Sequence, residues 1–167
     1  MPFFIRKAQE WPDPPAVRGP AWTPEDGLTL PHPPIPENMP KLSEVVMKGA
    51  WEMHRVDLDH SIESLSWLDQ LLNSFGAEGS RQLAQTVLCA GAYIGECLVR
   101  GHGFEWVVFP NDVAREFRFS TGIESNGVRG NPLGLAFDIV DHGYPEYSSV
   151  TVARHLVARA RAGGDVV

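Results

Sequence analysis

Only two of the 167 residues are cysteine, and no stretch approaches the ~20 consecutive apolar residues that a membrane-spanning helix needs. The first scarcity argues against a disulfide-stapled extracellular scaffold. Cys89 and Cys97 stand eight residues apart on one predicted helix, a separation of ~12 Å along its axis, so they do not bond to each other while it is helical. They read as reduced core thiols in a reducing cytoplasm, with a redox or metal role as the alternative. Basic residues are also few: 14 Lys and Arg against 21 Asp and Glu, a net charge of −7. Non-specific nucleic-acid binding needs a basic face for phosphates, so that class is disfavoured. What remains is an acidic surface suited to solubility or to a basic partner. A secretory signal is not expected, because Arg6, Lys7 and Glu10 interrupt the apolar start at Met1 to Ile5. A Gly-Lys-Ser/Thr phosphate loop and a nucleophile motif on serine or cysteine are missing as well.

What is present is an ordinary globular composition, 43% hydrophobic and 10% aromatic, in a length that suits one domain with a substantial core. Eleven of the 14 prolines fall in the first forty residues. Missing backbone donors and a fixed φ make residues 1–40 a proline-rich extended leader. It is either a linker or polyproline ligand for another protein, or a strap laid on the domain through Phe3, Phe4, Ile5, Trp11 and Trp22. That many large apolar side chains favour partial docking. Residues 41–167 form the single domain.

Within it, apolar spacing predicts a helix from about Pro40 to His54 with Leu42, Val45, Val46, Gly49 and Met53 inward. A second starts at Ser61, which caps it, buries Ile62, Leu65, Leu68, Leu72 and Phe75, and ends at Gly76. A third runs from about Ser80 to Arg100 with Leu83, Val87, Ala90, Ile94 and Leu98 inward. Phe104 to Phe109 reads as a central strand, apolar on both faces. Alternation predicts further strands at Ala114 to Ser120 and Leu135 to Val140. Thr121 to Gly134 is a glycine-bearing connection with a hairpin turn signal at Asn126-Gly127. The last helix, about Ser149 to Arg161, buries Val150, Ala153, Val157 and Ala160. The expected class is segregated α+β: three helices, a small mainly antiparallel sheet and a closing helix.

Ser61-Ile62-Glu63-Ser64-Leu65 with Leu68-Asp69, then Gly91-Ala92-Tyr93-Ile94-Gly95-Glu96, Trp106 on the next strand and Pro132-Leu133, is similar to a group of uncharacterised bacterial domains frequent in actinobacteria. The resemblance spans roughly Ser61 to Val140. It implies a fold and no activity.

Several constellations are candidates for chemistry, each with a plainer reading beside it. Gly91 and Gly95 bare one helix face, for close packing of another element or for a ligand. Tyr93, Glu96 and Arg100 share a helix face. Together with Trp106 they are the candidate floor of a ligand cleft, Tyr93, Arg100 and Trp106 as contacts and Glu96 as an acid or base; a simple Glu96–Arg100 surface pair is the alternative. His102, between two glycines, is a second candidate general acid or base, or only part of a helix-ending turn. His54, Asp57, Asp59 and His60 are the densest set of potential metal ligands, with Asp138, Asp141 and His142 as a second. Neither has the helix-borne spacing of zinc hydrolases, and both fit solvated turns, so no metal is assigned. The loop from Gly122 to Pro132 is rich in glycine but lacks a phosphate-loop ending. No cofactor is implied. The reading these features favour is a non-catalytic cytoplasmic domain that binds another protein, with neither nucleic acid nor membrane as partner. A small enzyme or ligand-binding domain around Tyr93, Glu96, Arg100 and His102 is the alternative.

Overall fold

A computed structural model describes residue 30 and residues 32–143 and 146–164. The strap expected from Phe3, Phe4, Ile5, Trp11 and Trp22 lies outside the described residues. The end of the leader is within them: Leu30 is half-buried against the core, a 3₁₀ turn spans Pro36–Asn38, and the Pro34 carbonyl accepts a hydrogen bond from the Thr121 hydroxyl at 2.8 Å.

Helix α1, Met39–His54, has Pro40 in its first turn and is stopped by Arg55 in the left-handed region at φ 55°. Helix α2 is Leu65–Ser74. Turns over residues 62–64 lead into it, where the Ser61 hydroxyl accepts from the Ser64 amide at 3.1 Å. Helix α3, Ala84–Gly101, is the centre of the molecule: every residue from 87 to 98 is buried. It packs chiefly on α1 and on α5, Pro132–His142. Between α3 and α5 come strand β1, Glu105–Val108, the short helix α4, Asn111–Phe117, and a hairpin of β2, Thr121–Ser125, and β3, Val128–Gly130. Helix α6, Ser149–Gly164, closes the chain. The class is α+β, six α-helices and one three-stranded antiparallel sheet in the order β1-β2-β3 among the described residues.

The hairpin turn falls at Asn126-Gly127, both at positive φ (49° and 77°), the twist that matches a two-residue hairpin. The Asn126 side-chain amide donates to the Ala160 carbonyl of α6 at 3.0 Å, which ties the sheet to the last helix.

Five sequence expectations are corrected. The strand after α3 is an edge strand, not a central one, and Val108 is exposed. The segment expected as a strand at Ala114 to Ser120 is mostly helix α4, started by Pro110 and ended by Arg118 at φ 68°. The segment at Leu135 to Val140 belongs to α5. There Pro132 occupies the first turn and the Asn131 side chain caps the Gly134 amide at 3.1 Å, a local start signal that outweighs the apparent alternation. The other two strands, β2 and β3, instead form inside the stretch expected to be a connection. Finally, the buried face of α1 is Met39, Leu42, Ser43, Val46 and Ala50, while Val45 and Met53 are exposed.

Candidate functional site

The bare face of α3 is filled by protein. A β-carbon at Gly91 would meet the Leu133 backbone at 2.8 Å, and one at Gly95 would overlap the Trp106 indole. Trp106 on β1 therefore packs its indole against α3 at Gly95. From there its indole N–H donates to Glu96 Oε2 at 2.9 Å. Arg100 Nε donates to the other carboxylate oxygen, Oε1, at 3.1 Å. Glu96 is only 2% exposed, whereas the Arg100 side chain is 49% exposed. Both oxygens of a buried carboxylate are thus engaged by charge-assisted or aromatic donors, which suits an anchor between helix and sheet rather than a free base.

Tyr93, one turn earlier, serves an adjacent junction. Its hydroxyl accepts from the His60 amide at 3.0 Å and pairs with the Ser64 hydroxyl at 2.6 Å. Burial pushes this phenol well above its ordinary range, so it stays neutral. The His60 ring lies 5.4 Å from the Tyr93 ring, and burial holds its imidazole below the ordinary value. Burial also carries the Cys97 thiol up to about 12, against the hydroxyls of Tyr93 and Ser64, and the Cys89 thiol to about 11. Both cysteines are free and buried. Neither supplies a thiolate at neutral pH. His102 ends α3. Its Nδ1 and His60 Nε2 are buried with no hydrogen-bond partner among the described residues.

Most of the residues considered for metal binding are engaged with other side chains. His54 sits edge-on to Trp67, with centroids 5.5 Å apart. Asp57 is exposed. Asp59 accepts from the Ser61 amide and hydroxyl at 3.0 and 2.6 Å, bonds that hold its carboxyl below the usual range. In the second set, Asp138 pairs with Arg118 at 2.8 Å, Asp141 accepts from the Ser80 hydroxyl at 2.9 Å, and His142 lies against Tyr147. Among the described residues no group of three or more His, Cys, Asp or Glu side chains could hold a metal ion.

Two features were given no role from the sequence, although Asp69 stood in the motif that carries the resemblance. The first is Asp69 on α2, fully buried. Its carboxylate accepts from the hydroxyls of Ser148 and Ser149, from the Ser149 amide at 2.8 Å and, more weakly, from the Val150 amide at 3.5 Å. It caps the start of α6 from another helix. Burial raises its carboxyl, opposed by these bonds. A lone aspartate between Trp67-Leu68 and Leu71-Leu72 is the signal that could have found it.

The second is an apolar groove of about 430 Å³ between α1, α2 and α3. The groove is lined by Val45, Gly49 and Met53 of α1, by Leu71 of α2 and Phe75 just past its end, and by Cys89 of α3. Met53 is 77% exposed and Val45 45%. The same side chains that the periodicity assigned to the core of α1 therefore rim an open cleft. None of Tyr93, Glu96, Arg100 and His102 lines it. No helix among the described residues is long and apolar enough to cross a membrane.

Comparison with protein-family models, with curated proteins and with solved structures finds no match to this chain.

Proposed function

We propose that this chain is a cytoplasmic protein-binding domain that receives an apolar segment of another protein in the groove between α1, α2 and α3. The observation that carries this reading is the groove's exposed apolar rim, with Met53 77% and Val45 45% accessible. Contiguous apolar surface on a soluble domain is costly to leave wet and marks interaction sites. A cleft between helices, apolar and of this size, suits side chains projecting from a helix or extended peptide. The net charge of −7 favours a partner with basic flanks and speeds the encounter with it. Two unpaired cysteines support a reducing compartment. Nucleic acid and membrane are not among the proposed partners. A bacterial origin and kinship with the uncharacterised domains it resembles belong to the same proposal, on the strength of the Gly91–Glu96 motif. A catalytic or small-ligand cleft around Tyr93, Glu96, Arg100 and His102 has less support, because Tyr93 and Glu96 are buried and already hydrogen-bonded.

The test is native mass spectrometry of the protein isolated gently from its host, beside the Met53→Lys variant. A lysine at so exposed a position leaves stability within ~0.5 kcal/mol. The expected result is a co-purifying protein that is lost from the variant. A partner retained equally by both, or a bound small molecule in its place, would overturn the reading.

A further inference from the structure

We infer that the groove face of α1 also pairs with a second copy of this chain, two α1 helices running antiparallel across Gly49, and that the partner protein competes with that pair. This rests on the groove being a binding face. The first support is Gly49 itself. It lies inside α1 and lines the groove, yet a β-carbon there would meet no atom within 4 Å. Among the described residues it is the one glycine inside a helix, away from its ends, with such open space. At Gly91, Gly95 and Gly134 the space is taken by Leu133, Trp106 and Asn131. Apart from proline, glycine is the least favourable residue inside a helix, and its structural use is close approach of another backbone. At Gly49 no described residue makes that approach, so the position is open to a second molecule.

The surroundings of Gly49 are complementary to a copy of themselves. Val45 and Met53, 45% and 77% exposed, stand four residues before and after it, ~6 Å along the axis in each direction and about 40° to either side. A two-fold axis at Gly49, perpendicular to the helix, sets Val45 against Met53 of the second copy and Met53 against its Val45, with glycine on glycine between them. The three positions form an i, i+4 row, the kind of ridge by which helices pack. Lys48 and Glu52 share one flank of that row, about 100° and about 60° from Gly49. Their side chains are 76% and 59% exposed and only 3.9 Å apart. The same two-fold keeps the flank and reverses the order, so Lys48 meets Glu52 of the second copy and Glu52 meets its Lys48. One charge of each sign is self-complementary in this register. An interface centred on one helix per copy is of the small, transient kind, which leaves it open to replacement by the partner.

The experiment is sedimentation equilibrium of the full chain from about 1 μM to about 1 mM, the range of transient pairs. A reversible dimer is expected. Gly49→Leu should weaken it at least tenfold while circular dichroism and the melting temperature show the fold intact, because the added side chain enters open space and leucine favours helix. Lys48→Glu and Glu52→Lys should each weaken the dimer of like copies several-fold, and an equimolar mixture of the two variants should restore a mixed dimer. A monomer throughout the range overturns the pairing, as does a dimer that Gly49→Leu and both charge variants leave unchanged. If Met53→Lys still loses the co-purifying protein in either case, the groove remains a binding face and only the self-pairing is wrong. If Met53→Lys alters neither the dimer nor the capture of a partner, the groove reading falls with it.

Discussion

Trp106 occupies the space that Gly95 leaves open on α3: a β-carbon at position 95 would overlap the indole ring. The same indole donates to Glu96 at 2.9 Å, so one side chain both fills a gap and satisfies a buried charge. Gly95→Ala is expected to destabilise the protein by about 1–3 kcal/mol, as overpacking of a tight core does. In a Trp106→Leu background the cost should shrink, because the clash partner is smaller. Denaturant midpoints of the four proteins decide it, and equal costs in both backgrounds would show that the two residues are not coupled.

Asp69 holds α2 to the first turn of α6 through the hydroxyls of Ser148 and Ser149 and the Ser149 amide. Asp69→Asn removes the charge and turns a donor toward donors. The expected loss is about 2–4 kcal/mol, the range for breaking a buried charged hydrogen-bond set. Urea unfolding measures it. A loss under ~0.5 kcal/mol would mean that α6 is held by its apolar face alone.

His60 makes stability depend on pH. Burial and the nearby Arg100 hold its imidazole below the ordinary value of 6.5, while Glu96 and Asp59 act in the opposite sense. The unfolded chain therefore takes up a proton near pH 6.5 that the folded protein refuses until lower pH. This contribution to stability is fully present above the unfolded value and is lost as pH falls through the folded one. His60→Asn tolerates the positive φ of 64° at this position and removes the titration. Wild type should lose more stability than the variant between about pH 7 and about pH 5. Superimposable stability curves would remove His60 from the account.

Cys89 and Cys97, with thiols raised to about 11 and about 12, carry a thiolate fraction below about one in a thousand near neutral pH. Iodoacetamide is expected to leave both unmodified in the folded protein and to label both after unfolding. Mass spectrometry of the time course reads this directly. Prompt labelling of Cys89 alone would indicate that solvent and reagent reach it through the groove.

Much of the helical frame was legible in the chain. The 3.6-residue spacing of Leu65, Leu68 and Leu72 is dictated by burial of one helix face, whereas in α3, buried all round from 87 to 98, the spacing of Val87, Ile94 and Leu98 marked the helix but not its surroundings. The turn at Asn126-Gly127 was legible for a local reason, since these residues tolerate positive φ. The strand at Leu135 to Val140 was misread because a short run buried on all sides has no exposed face to reveal its period. The cap at Asn131 and the proline after it were the better evidence.

The candidate site was less legible. Tyr93, Glu96 and Arg100 do share a helix face, as spacing alone required. What sequence could not supply is what covers that face, because Trp106 and His60 arrive from other elements.

The sequence by itself determined that helices form at α1, α2, α3 and α6 and that the chain has one apolar core, since these follow from local propensity and periodicity. Only the tertiary structure decided which apolar residues stay wet. Val45 and Met53 repeat with Leu42 and Val46 in the chain, yet packing of α1 chiefly on α3 leaves Leu42 and Val46 buried and Val45 and Met53 exposed at the groove. Burial is settled by the relative placement of distant elements, and no local pattern encodes it.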